Sequence, residues 1–79
     1  MNKKILAVCD QEGEYAERLA EYLEQRQGNL FEVRTFFDVD RLIEFCREQK
    51  EKIKLLLVSE AVYQSALREL PDMHIMILN

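Results

Sequence analysis

Ser59 and Glu60 close one apolar run, Leu55 Leu56 Leu57 Val58, and Asp10, Gln11 and Glu12 follow another, Ile5 to Cys9. Carboxylates at the ends of neighbouring apolar strands are the groups that hold a divalent cation, and with it the anionic oxygens of a phosphoryl group, because hard ions take oxygen ligands. Asp10, Glu12 and Glu60 stand where such a pocket would form, and Asp10 and Glu60 are the two candidate cation ligands. The bland alternative is that these acids are simply solvated at strand ends, and on that reading no metal or cofactor is assigned. An acyl phosphate needs a carboxylate nucleophile, whereas the residue ending the second run is Ser59, a hydroxyl with no base beside it in sequence. Ser59 therefore reads as a loop or helix-start residue, and no residue is assigned a catalytic role.

The remaining reactive side chains read as packing. Cys9 and Cys46 lie far apart, with no second cysteine or histidine at metal-ligand spacing near either. Cys9 precedes three acids that repel an anion and favour the neutral thiol, and Cys46 sits on a helical apolar stripe. Tyr15 and Tyr22 fall on the apolar side of a predicted helix. His74 opens a strand with no acid, cysteine or second histidine close in sequence.

The elements that must position these residues alternate. Ile5 to Cys9 is a short apolar run that reads as a strand covered on both faces. From Glu14 to Gln27, apolar residues recur at helical spacing and Gly28 follows as a stop. Phe31 to Phe37 alternates in the manner of a half-solvated edge strand, leaving Phe36 as either core or contact surface. Asp38 caps a second helix with the stripe Val39, Leu42, Ile43 and Cys46, with Phe45 alongside. Ile53 to Val58 is a buried strand, Val62 to Leu70 a helix ended by Pro71, and His74 to Leu78 a fourth strand. The order βαβαβαβ predicts an α/β fold with a parallel sheet, right-handed crossovers and helices on both faces.

Composition bounds the function class. Seventy-nine residues, 48% hydrophobic and 33% charged with two Gly and one Pro, describe one small globular domain without linkers or repeats. Net charge is −4, and the basic cluster Arg47, Lys50, Lys52 and Lys54 is interrupted by Glu48 and Glu51. That pattern suits a solvated helix end better than a phosphate-backbone track, so nucleic acid is not an expected partner. The apolar run after Lys3 and Lys4 is too short for a signal peptide or a membrane span, and unpaired cysteines suit the cytoplasm.

On these residues the chain resembles a response-regulator receiver domain. Lys4 to Asp10 is similar to the receiver strand that ends in an acidic pair, Phe31 Glu32 Val33 Arg34 Thr35 to the second strand, and Leu55 to Ser59 to the strand bearing the phosphoacceptor aspartate. His74 to Asn79 resembles the strand ending in the switch serine or threonine. The resemblance implies a flavodoxin-like sheet of order 2-1-3-4, with Ser59 at the phosphoacceptor position, Asp10, Glu12 and Glu60 as acidic-pocket equivalents, and Asn79 as the switch equivalent. Acceptor, acidic pair and switch all depart from the receiver pattern, which implies a degenerate receiver that binds rather than accepts phosphate.

Similar degenerate receivers occur at the N-terminus of ParA/MinD-like ATPases of the Tad pilus assembly type (TadZ, CpaE), where they are associated with localisation and dimerisation. Two alternatives stand against this reading. One is a working signalling receiver that takes a phosphoryl group with Mg²⁺. The other resembles a phosphotransferase IIB domain, with Cys9 as nucleophile, although Tyr15 stands where a small tyrosine phosphatase needs arginine and the loop offers no Ser or Thr.

In the order 2-1-3-4, right-handed crossovers put the first helix on one face and the second and third on the other. Strands three and four are apolar at nearly every position, yet one face has a single helix to cover it. The last strand and helix of a full receiver are missing from residues 1–79. The chain is thus expected to be an N-terminal fragment of a larger protein, or to complete itself with a second copy, a domain swap or a protein partner.

Overall fold

The computed structural model describes residues 3–78. Its elements are β1 (Lys4–Cys9), α1 (Gly13–Gln27), β2 (Phe31–Phe36), α2 (Val39–Glu48), a 3-10 turn (Lys50–Lys52), β3 (Ile53–Ser59), α3 (Glu60–Glu69) and β4 (Ile75–Leu78). The four strands are parallel in the order β2-β1-β3-β4, the flavodoxin-like arrangement.

Burial follows from that order. β1 has a neighbour on each edge and helices over both faces, so it is buried from Ile5 to Cys9, whereas β2 at the edge alternates half-buried and exposed residues. A register irregularity between Ile5 and Leu6, whose β3 partners are Ile53 and Leu55, leaves Lys54 over as an exposed extra residue.

The helices divide as right-handed crossovers require. Leu42, Ile43 and Cys46 of α2 and Val62 and Ala66 of α3 pack with Ala7, Cys9, Leu56 and Val58 on one face of the sheet. Ala16 of α1 packs with Val8 and Leu57 on the other, flanked by the partly buried Leu19, Leu23, Val33, Leu55 and Leu78. Asp38 caps α2 as its spacing predicts, its carboxylate accepting the Asp40 N–H at 2.9 Å.

Several details differ from expectation. α3 begins at Glu60, two residues earlier than Val62, because the chain leaves β3 directly into helix and a carboxylate suits the first turn. β2 stops at Phe36 and leaves Phe37 48% exposed, while Phe36 packs against the α2 side with its ring 5.0 Å from that of Phe45. β4 begins at Ile75, although the His74 carbonyl still accepts the Leu56 N–H at 2.9 Å. Tyr22 is not core: it is 51% exposed, with the Arg26 guanidinium 4.7 Å above its ring, and Tyr15 is 38% exposed. Gly28 ends α1 in the right-handed region, and a Cβ there would collide with the Glu24 carbonyl oxygen, so the position favours the absence of a side chain. No helix among the described residues is long and apolar enough to cross a membrane.

Candidate functional site

The crevice of an open parallel sheet lies beyond the carboxyl ends of its central strands, here β1 and β3. Cys9 pairs with Val58, so the next residues along, Asp10 and Ser59, end neighbouring strands side by side; Ser59 pairs in turn with Leu78. Glu60 follows as the first residue of α3, and Glu12 stands at the N-terminal boundary of α1. The topology thus brings Asp10 and Ser59 together and sets Glu12 and Glu60 at the surface around them. Asn79 lies outside the described residues.

Among the described residues these acids are tied to local backbone or turned to solvent. One Asp10 carboxylate oxygen accepts the Glu12 N–H at 2.9 Å, an Asx turn that ties the carboxylate to its own loop. The Asp10 N–H donates to the Phe36 carbonyl at 3.2 Å, which fixes that loop to the end of β2. Glu12 and Glu60 are exposed. Among the described residues, no three His, Cys, Asp or Glu side chains come together as a metal site.

Ser59 Oγ is buried and has no hydrogen-bond partner, and although the residue stands at the N-cap of α3 its hydroxyl makes no cap bond. Among the described residues no base is bonded to this hydroxyl to take its proton, which is what activation as a nucleophile requires. A buried polar atom without a partner is also a local cost to the fold.

Cys9 is fully buried against the α2 side. Burial, and after it the negative charges of Asp10 and Asp38, push its thiol up to about 11, away from the thiolate that group transfer requires. Cys46 is likewise held near 11 by burial and by its neighbour Cys9. His74 is exposed ahead of β4. Within the basic cluster, Arg47 pairs with Glu69 at 2.6 Å and Lys50 with Asp72 at 3.8 Å, so two of its cations tie α2 and the 3-10 turn to α3 and the turn after it.

The surface that stands out is apolar. Met76 pairs with Leu57 on the α1 side of the sheet and is 55% exposed, with Leu55 and Leu78 beside it only partly buried. On the α3 side Ile77 is 39% exposed at the same edge. Strand periodicity alone predicted all of β4 as buried; the single helix on the α1 side was the signal that it would not be. Comparison of the chain with protein-family models, with curated proteins and with solved structures found no match.

Proposed function

We propose that the chain is a receiver-like module that does not accept phosphate and works by protein interaction, its α1-side face of β3 and β4 meeting a second copy or a protein partner. The observation that carries the reading is the exposed Met76 with the partly buried Leu55 and Leu78 beside it, on two strands whose opposite face is packed by α2 and α3 except at Ile77. Beyond β1 and β3, the phosphoacceptor position holds a partnerless hydroxyl and the adjoining Asp10 is engaged in its own turn, which favours binding over phosphoryl transfer. In this role the module would dimerise, localise or regulate an attached output or ATPase domain, as its likeness to degenerate receivers suggests.

Incubation with acetyl phosphate and Mg²⁺, followed by intact-mass measurement, tests the phosphoryl side of the reading. The expected result is an unchanged mass. A gain of one phosphoryl group that disappears in Asp10→Asn or Ser59→Ala would instead make the chain a working receiver, and a label lost in Cys9→Ser would make it a phosphotransferase.

A further inference from the structure

The open outer edge of β2 lies between two acidic grooves. On the α2 side, a groove of about 810 Å³ has Phe36, Phe37 and Phe45 in its lining and Asp38, Glu44 and Glu48 on its rim, opposed by Arg41, while the Arg34 guanidinium, paired with Glu32, lies 5.1 Å over the Phe45 ring. On the α1 side, a groove of about 500 Å³ runs past Val33 and Thr35 under Glu17, Glu21 and Glu24, while its remaining acid, Glu14, is bonded to Arg18. The α2-side rim carries an excess of two carboxylates and the α1-side rim an excess of three, together more than the net charge of −4 of the whole chain.

Each helix turns a like-charge pair toward this edge, Glu17 with Glu21 on α1 and Glu44 with Glu48 on α2, and no ion pair among the described residues relieves either. Such i, i+4 pairs destabilise a helix by a few tenths of a kcal/mol each. They are a repulsion that an arriving cation removes.

The backbone between the grooves is free to pair. Among the described residues β2 pairs with β1 alone, and the Phe36 carbonyl points inward to the Asp10 N–H, so the strand's alternation turns the N–H and C=O groups of Val33 and Thr35 outward. A strand added there would place alternate side chains in the two grooves. Its residues on the α2 side would meet an aromatic floor partly covered by Arg34, whose charge Glu32 balances, and then carboxylates, and those on the α1 side carboxylates in excess. A second copy of this edge would bring acid against acid, so charge selects against self-pairing and for a basic strand.

We propose that the outer edge of β2 binds an extended basic peptide segment of a partner protein by strand addition, with lysine or arginine on both faces and an apolar anchor over Phe36 and Phe45. This surface lies across the sheet from the β3–β4 face and stands or falls separately from it.

The test is an amide NMR titration of the folded chain with a short synthetic peptide in which a pair of consecutive Lys residues stands on each side of a central Phe, so that lysines fall on both faces of the strand, and with a matched peptide carrying Glu for Lys. The expected result is saturable shifts at Val33, Thr35, Phe36 and Phe45 with the Lys peptide alone. Affinity should fall about tenfold in Glu21→Lys/Glu44→Lys and stay unchanged in Glu51→Lys/Asp72→Lys, which changes net charge equally at sites away from both rims. Thr35→Pro removes an outward donor and should weaken binding similarly, its fold checked by the dispersion of the same spectra. The proposal is overturned by absence of saturation, by equal losses in the two charge variants, by shifts centred on Met76, or by concentration-dependent shifts along β2 in the free protein. Absence of saturation would assign the acids to guarding the edge.

Discussion

Between the sheet and helices α2 and α3, ten residues form one buried cluster; beneath α1 the corresponding cluster has three, Val8, Ala16 and Leu57. Both faces belong to the same strands, and β1 and β3 supply apolar side chains to each. The difference lies in how many helices the topology sends to each side, because β2-α2-β3 and β3-α3-β4 cross on one face and only β1-α1-β2 crosses on the other. It teaches that an apolar strand records what should be covered, and the crossovers decide what is. Buried packing is concentrated on the α2 and α3 face, and the face of α1 keeps Met76 exposed beside the partly buried Leu55 and Leu78.

The largest effect should come from truncation within the thicker face. Leu56→Ala and Leu42→Ala remove fully buried side chains and should each cost about 2–5 kcal/mol in urea unfolding, whereas Leu19→Ala beneath α1 should cost clearly less. Equal losses would erase the contrast between the faces.

Alkaline pH should weaken the same face. Both thiols are held near 11 in the folded chain, above the ordinary value of 9.0, so their contribution is intact below about pH 9. It is lost as pH rises from there through 11, because the unfolded chain releases its protons first. Unfolding free energy should fall by about 1.4 kcal/mol per pH unit for each thiol across that window, and the slope should shrink in Cys9→Ala.

Asp38→Ala, which deletes the cap of α2, should cost about 1 kcal/mol. Smallest of all, Met76→Lys should shift monomer stability by no more than about 0.5 kcal/mol, since the side chain is 55% exposed. Its effect should appear in association instead.

The fold was legible because period and punctuation agreed: a continuous run at Ile5 to Cys9, alternation from Phe31, the Asp38 cap and the stripe Leu42, Ile43, Cys46 each imply one element in one place. Boundaries were less so. Glu60 and Ala61 lack an apolar marker, yet the short step from β3 draws them into α3, and Tyr22 has an apolar body that Arg26 covers as well as a core would. For the candidate site, the sequence placed Asp10 beside Ser59, but neither the Asx turn that occupies Asp10 nor the missing partner of Ser59 Oγ can be read from residue types, because both depend on where backbone atoms come to rest. The acidic grooves at β2 were invisible for a related reason. Glu17 and Glu21 are separated from Glu44 and Glu48 by a strand and two loops, and only the sheet order brings them to the two sides of one edge.

The central claim is that the thinly covered face of β3 and β4 is an interaction surface, and sedimentation velocity of the chain beside Met76→Lys tests it most directly. The account predicts that the unmodified chain's sedimentation coefficient rises with concentration through the micromolar range while Met76→Lys remains a monomer with an unchanged fold. An unmodified chain that stays monomeric at high micromolar concentration, or a variant that associates as strongly as its parent, would contradict self-association through this face.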